Sequence, residues 1–91
     1  FIMDDESQME GVWGETAELS GNMVEVSGLA GYVNNCRMEI PPTSVGSCFY
    51  VTGNGNFMFR NTFVGVAAEA ATGINYAAGA ENSDERSVYL P

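Results

Sequence analysis

Glycine spacing is the feature that most restricts the fold of this chain of 91 residues. Eleven glycines, together with Pro41-Pro42, one Asn-Gly pair and two Ser-Gly pairs, place turn signals about every 8–12 residues. The runs between them are short and of β-forming composition, and so many glycines disfavour long helices. The sequence therefore predicts an all-β fold, either a small antiparallel sheet or a sandwich. The segment near 66–71 is rich in alanine, so one short helix there remains open.

The first ten residues differ in composition from the rest of the chain. Residues 1–10 place an acidic cluster after Phe1-Ile2-Met3 and show no hydrophobic period, which predicts an N-terminal arm. Residues 11–91 are expected to form a single β domain, since a chain of this length makes one core. No internal repeat is evident. The start at Phe1 rather than at methionine predicts a mature form produced by N-terminal processing.

Two local patterns predict a meander in the middle of the chain. Cys36 and Cys48 are equally far from Pro42. If the chain reverses at Pro42, the two cysteines face each other on antiparallel strands, at a separation that a disulfide tolerates. Asn54-Gly55 is typical of a two-residue hairpin turn. Together these patterns predict a disulfide-stapled meander.

Alternation along the meander assigns its two faces. The outer face would carry the apolar patch Phe49, Val51 and Met58 beside Arg60. We expect this patch and the apolar Phe1, Ile2 and Met3 to form a protein interface, although a second sheet from residues 63–90 is an alternative cover. The face predicted to be buried carries Tyr32, Asn34, Cys36, Met38, Ile40, Cys48, Tyr50, Thr52, Phe57, Phe59 and Asn61.

The charge balance narrows the classes of partner and function. Twelve acidic residues, three arginines and no lysine or histidine give a formal charge of −9. Such a charge repels nucleic acid and anionic membranes. Without histidine or lysine the chain lacks the usual general bases and amine nucleophiles, so no enzyme and no cofactor are predicted. Glu81 and Asp84 are weak calcium candidates, but they match no calcium-binding loop.

These observations predict a non-enzymatic structural or assembly subunit. It would pack against copies of itself or a larger protein assembly, with no small-molecule ligand and no membrane insertion. The alternative is a small acidic binding module, similar to an inhibitor or toxin, directed at a basic protein. The cysteine pair predicts an extracytoplasmic location: secreted, on a cell surface or on a particle surface.

Overall fold

The computed structural model describes residues 1–67, 70–77 and 81–91. In these residues the chain forms short β-strands joined by turns. The strands are β1 (Ile2–Met3), β2 (Gln8–Glu10), β3 (Trp13–Glu15), β4 (Asn22–Val26), β5 (Tyr32–Asn34), β6 (Arg37–Glu39), β7 (Ser47–Val51), β8 (Phe57–Phe59), β9 (Thr62–Val64), β10 (Ile74–Tyr76), β11 (Ser83–Glu85) and β12 (Val88–Leu90).

The strands stack into a three-sided parallel β-solenoid. Sheet A has the order β1-β4-β7-β10, sheet B β11-β8-β5-β2 and sheet C β12-β9-β6-β3. Paired residues are 23 to 26 positions apart, as in Ile2 with Glu25 and Phe57 with Ser83. The described chain thus winds through four coils: coil 1 (1–21), coil 2 (22–46), coil 3 (47–67 and 70–71) and coil 4 (72–77 and 81–91). The all-β class is confirmed, and the antiparallel sheet or sandwich is wrong.

Columns of side chains that repeat once per coil fill the interior. Met9, Val33 and Met58 pair in register in sheet B, and all three are buried. Because side chains alternate across a strand, the central residue of each three-residue strand in this sheet points inward. The buried hydrophobic residues form one cluster, which consists of Met3, Met9, Val24, Val26, Val33, Cys36, Met38, Ile40, Cys48, Phe49, Val51, Met58, Phe63, Val66 and Ile74.

The corner between sheets B and C repeats one backbone conformation in every coil. Gly11, Asn35, Arg60 and Arg86 occupy this corner with φ between 54° and 66°. This left-handed region is uncommon for residues other than glycine, although asparagine tolerates it better than most. A left-handed residue turns the chain sharply and interrupts the in–out alternation. The corner therefore sets which residues of the next strand face the core.

The predicted hairpin at Asn54-Gly55 is wrong. These residues form the corner between β7 and β8, which belong to different sheets and are not paired with each other. Pro41-Pro42 likewise lies between β6 and β7, in sheets C and A. At each of these turns the chain moves to the next side of the solenoid instead of reversing. Each strand then pairs with the strand about 25 residues later, as Val24 pairs with Phe49.

The predicted disulfide is also wrong, since Cys36 and Cys48 are both free and buried. Cys36 lies between β5 and β6, where its Sγ is 3.7 Å from the carbonyl oxygen of Met9. Cys48 lies in β7, in the next coil and in another sheet. The prediction required a reversal at Pro42, which does not occur. The inference of an oxidising compartment therefore loses its support.

The predicted assignment of faces is correct at some positions and reversed at others. Phe49, Val51 and Met58, predicted on the outer face, are completely buried. Alternation was carried through the turns without a break, whereas the corners shift its phase. Of the residues predicted to be buried, five are buried: Cys36, Met38, Ile40, Cys48 and Asn61. Five others are half-buried: Tyr32, Asn34, Tyr50, Phe57 and Phe59. Thr52 is exposed.

Two further expectations concern particular segments. Residues 1–10, expected to be an arm, instead supply β1 and β2 and place Met3 and Met9 in the core. In the short helix considered near 66–71, residues 68–69 lie outside the described residues, and the rest of that segment is not helical. The described residues include no helix that is long and apolar enough to cross a membrane.

Candidate interaction site at the open end of the solenoid

A partly open cavity of about 310 Å³, lined mainly by coil 4, lies at the C-terminal end of the described solenoid. Most of its walls are inward-facing side chains of β10, β11 and β12, which pair in register with Phe49, Met58 and Phe63 of coil 3. The cavity is thus a continuation of the core that no further coil fills in the described part of the chain. Its lining residues are Ala70, Ile74, Tyr76, Asn82, Asp84 and Tyr89.

Asp84 places a carboxylate where earlier coils place apolar side chains. It pairs in register with Met58, and thereby extends the column that contains Val33 and Met9. The hydroxyl of Ser87 donates a hydrogen bond to Asp84 Oδ1, and the Tyr89 hydroxyl donates one to Oδ2 at 2.8 Å. Asp84 is half-buried. The end of the core is therefore marked by an oriented acidic group.

Two tyrosines form the aromatic part of the cavity. Tyr76 is 38% exposed, and its partial burial, with a contribution from the nearby charge of Asp84, raises its pKa to about 12. The Tyr76 phenol therefore keeps its proton over the physiological range. The Tyr89 ring stacks on Phe63, with 5.3 Å between the ring centroids and 22° between the planes. This stacking fixes the hydroxyl that bonds to Asp84.

Asn82 attaches the rim of the cavity to coil 3. Its Oδ1 accepts a hydrogen bond from the backbone N–H of Asn56 at 2.8 Å, and its Nδ2 donates one to the carbonyl oxygen of Gly53 at 2.9 Å. Asn54 Oδ1 in turn accepts the backbone N–H of Glu81 at 2.8 Å. The rim is therefore held by side-chain bonds between coils as well as by the strand ladder.

Both ends of the solenoid present unpaired strand edges. β10, β11 and β12 are the last strands of their sheets, and β1, β2 and β3 are the first, so within the described residues each has one free edge. The N–H and C=O groups on such an edge form a template for pairing with another chain. The C-terminal end combines three free edges with the cavity.

The exposed large hydrophobic side chains lie mainly in the two end coils. Phe1 and Trp13 in coil 1 are each 78% exposed, whereas in the described residues of coil 3 no large hydrophobic side chain is exposed. The exposed set consists of Phe1, Ile2, Val12, Trp13 and Leu19 in coil 1, Leu29 and Val45 in coil 2, and Tyr76, Val88 and Leu90 in coil 4.

The residues predicted to form an interface are separated by the structure. Phe1 and Ile2 are exposed in coil 1, but Met3 is buried beneath them. Phe49, Val51 and Met58 form part of the core, so they provide no surface patch. Of the predicted interface, only the first two residues are available to a partner.

The two weak calcium candidates do not form a cluster with other ligands. Glu81 is exposed, whereas Asp84 lines the cavity and accepts bonds from two hydroxyls. Across residues 1–67, 70–77 and 81–91, no group of three or more His, Cys, Asp or Glu side chains could hold a metal ion.

A second surface feature is an aromatic column on the outer face of sheet B. The rings of Tyr32 and Phe57 stack at 5.6 Å with 9° between their planes, and Phe59 stacks against Phe57. The guanidinium groups of Arg60 and Arg86 lie 4.9 Å and 5.8 Å from the centre of the Phe59 ring. The aromatic rings thus stack on each other and on the arginine side chains. These contacts give the column a stabilising role.

The role of Tyr76 and Tyr89 was not predicted from the sequence, and Asp84 was considered only as a metal ligand. A signal does exist: Met9, Val33, Met58 and Asp84 recur at spacings of 24 to 26 residues. No known protein family matches the chain, and no curated protein or solved structure is found to be similar to it. The site is therefore described only from the positions of its own residues.

Proposed function

We propose that this domain is a non-enzymatic assembly module that binds a protein partner through unpaired strand edges of its sheets. The observation that supports this most is that, within residues 1–67, 70–77 and 81–91, the outermost strands of each sheet carry an unpaired edge with exposed apolar side chains beside it. An added strand would gain backbone hydrogen bonds from an edge and would bury the apolar side chains beside it.

The exposed apolar residues are consistent with this mode of binding. Val88 and Leu90 lie on the outer face of β12 and are each about half exposed, beside the free edge of that strand. Isolated exposed hydrophobic residues are ordinary, but their concentration beside unpaired edges favours contact with another chain. The lack of histidine and lysine supports a role in binding rather than in catalysis.

Amide hydrogen–deuterium exchange with a synthetic strand tests the proposal. The probe is a short uncharged peptide of alternating threonine and valine, and the control is the same peptide with proline at every second position, which cannot extend a ladder. We expect the probe at millimolar concentration to slow exchange in β10–β12, or in β1–β3, and the control to have no effect. Protection confined to the inner strands β4–β9, or no protection, would overturn the proposal.

A second candidate is a binding module that recognises a basic protein through its acidic outer surface. It is favoured by the disposition of charge: Arg37 lies over the Trp13 ring, Arg60 and Arg86 lie over Phe59, and Glu15 pairs in register with Glu39. Binding of this kind would weaken steeply with added salt, since exposed charges are screened. Pairing at a strand edge would be far less sensitive, so a salt titration of the affinity for a partner distinguishes the two.

A further inference from the structure

All three arginines of the chain lie along one edge of the solenoid, at the corner between sheets B and C. Arg60 and Arg86 occupy the corner position itself in coils 3 and 4, and Arg37 lies two residues after the equivalent Asn35 in coil 2. The chain contains twelve acidic residues and no lysine. The positively charged side chains of an acidic domain are therefore concentrated along a single edge.

Arg60 and Arg86 are neighbours in successive coils. Phe59 pairs in register with Glu85, so the residues that follow them are adjacent, and the backbone N–H of Arg60 donates a hydrogen bond to the carbonyl oxygen of Glu85 at 3.0 Å. Both guanidinium groups lie over the same ring, with their Cζ atoms 4.9 Å and 5.8 Å from the centroid of Phe59. Two exposed positive charges are thus held close together, where they repel each other.

The turn at this corner does not require arginine. Gly11 and Asn35 make the same left-handed turn in coils 1 and 2, and both residue types adopt it more readily than arginine does. Nor does the chain neutralise the two charges, since within the described residues neither guanidinium forms an ion pair with a carboxylate, not even with the adjacent Glu85. The arginines therefore add to the corner a pair of charges that no described carboxylate compensates.

Contact with Phe59 leaves the hydrogen-bond donors of both arginines available. A guanidinium stacked over an aromatic ring keeps its five N–H donors, because these point outward in the plane of the guanidinium group. The ring also restrains each side chain, so less conformational freedom is lost when a ligand binds. The two side chains can therefore donate to one shared acceptor beside the Phe59 ring.

We propose that Arg60 and Arg86 together bind a single phosphate group, either the free ion or the phosphoryl group of a phosphorylated protein segment. Near neutral pH such a group carries a charge of about −1.5 to −2, which matches two guanidinium groups, and its oxygens can accept bonds from both. A carboxylate supplies only one negative charge. A polyanion such as nucleic acid would bring further phosphates against the acidic surface, so the ligand carries an isolated phosphate. The site does not depend on the proposed pairing at strand edges.

A titration followed by the NMR signals of the arginine Nε–Hε groups tests the inference. The probes are inorganic phosphate and a phosphoserine peptide, at constant ionic strength and about pH 6.5, above the second pKa of a phosphomonoester. We expect both probes to shift the signals of Arg60 and Arg86 saturably in the millimolar range. Arg37, which lies over the Trp13 ring, is the internal control and should not shift. Acetate should bind about fivefold more weakly than phosphate, because its charge is smaller.

Substitutions that suit the corner test the pair directly. Arg60→Asn and Arg86→Asn should fold, since asparagine already occupies this corner in coil 2. Each should weaken phosphate binding about five- to tenfold, measured at the arginine that remains, because charge-assisted hydrogen bonds are lost. Arg37→Gln is the matched control and should leave the affinity unchanged. Glu85→Gln should strengthen binding, because it removes a negative charge beside the site.

Three results would overturn the inference. Equal shifts of all three arginines would show general attraction of anions to any guanidinium group. Equal affinities for acetate and phosphate would show that the two arginines do not act together on a dianion. Unchanged phosphate affinity in Arg60→Asn and Arg86→Asn would place the ligand elsewhere. When the expected shifts are seen, tighter binding of the phosphoserine peptide than of inorganic phosphate identifies a phosphorylated segment as the ligand, and equal binding identifies the free ion.

Discussion

The side-chain amide of Asn61 bonds to the coil beneath it at two points. Its Oδ1 accepts a hydrogen bond from the backbone N–H of Cys36 at 3.0 Å, and its Nδ2 donates one to the carbonyl oxygen of Val33 at 3.2 Å. Asn56 does the same at the preceding corner, bonding to the N–H of Gly31 at 2.7 Å and to the carbonyl oxygen of Gly28 at 3.0 Å. These interior amides satisfy backbone groups at corners, where the ladder is interrupted.

Replacing Asn61 by alanine should strongly destabilise the fold. The change leaves a buried donor and a buried acceptor of coil 2 without partners, at a cost of about 2–4 kcal/mol in the free energy of unfolding. Asn54→Ala is the control, since its exposed amide accepts one bond, and it should cost about 1 kcal/mol or less. Urea denaturation measures both. Equal losses in the two variants would mean that the interior bonds are not what stabilises this corner.

Gly53→Ala should disrupt the packing of one coil on another. A Cβ at this position would clash with the backbone carbonyl of Gly28, so the two coils would have to separate. Gly11→Ala is the control: its φ of 66° is strained for alanine, but a Cβ there meets no atom within 4 Å. We expect Gly11→Ala to cost about 1–2 kcal/mol and to fold. If thermal denaturation shows Gly53→Ala to be no less stable than Gly11→Ala, the close approach of the two coils at Gly53 is wrong.

The alternation of core and surface residues can be tested by one pair of phenylalanines. Phe63 is completely buried and contacts Phe49 edge to face, so Phe63→Ala should cost about 3–5 kcal/mol. Phe59 is half-buried on the outer face of sheet B. Phe59→Ala should cost only about 1–2 kcal/mol, because the Phe59 side chain removes less apolar surface from water on folding than Phe63 does. A larger loss of stability in Phe59→Ala than in Phe63→Ala would contradict the assignment of core and surface residues in the solenoid.

Both thiols should be unreactive in the folded protein. Burial raises the pKa of Cys36, and it raises the pKa of Cys48 to about 12, so little thiolate forms near neutral pH. Ellman's reagent should therefore detect two thiols in denaturant and almost none under native conditions. An intact mass that increases on reduction would show a disulfide instead. Cys48→Ala should lower the count in denaturant to one.

Alkaline pH should destabilise the domain partly through Tyr76. Its pKa is raised to about 12 by partial burial and by the charge of Asp84, above the ordinary tyrosine value of 10.0. The folded state therefore holds this proton more tightly than the unfolded state does. The resulting stability is complete below pH 10 and is lost as the pH rises from 10 to 12. Cys48 contributes with the same sign, because its pKa is raised from 9.0 to about 12.

Tyr76→Phe separates the tyrosine from the thiol. In this variant the loss of stability above pH 10 should be smaller, and the tyrosinate absorbance near 295 nm should lack its latest-titrating component. Asp84→Asn should shift that component to lower pH without removing it, because burial is the larger cause. If the component lost in Tyr76→Phe titrates near the ordinary tyrosine pKa of 10.0, and Asp84→Asn leaves the titration unchanged, the position of Tyr76 in the cavity is wrong.

The chain's local signals predicted several features correctly. Glycine-rich turns and short β-forming runs predicted strands rather than helices, and Cys36, Met38, Ile40 and Asn61 were expected to be buried. Each of these predictions depends on propensity or on alternation within a few residues, which acts in any arrangement of strands. The candidate site was much less accessible, because Tyr76, Asp84 and Tyr89 meet only when coil 4 closes around them.

The sequence by itself determined the class of structure: short strands, glycine turns and an apolar interior. The tertiary structure alone decided that the strands run parallel and that Phe49 and Met58, rather than Tyr50 and Phe57, face the core. Alternation is identical in parallel and antiparallel strands, so it cannot indicate which strands pair. That choice depends on whether each turn reverses the chain or carries it to the next side. Left-handed corner residues such as Asn35 and Arg60 also shift the phase of alternation, and only the stacking of successive coils shows where they do so.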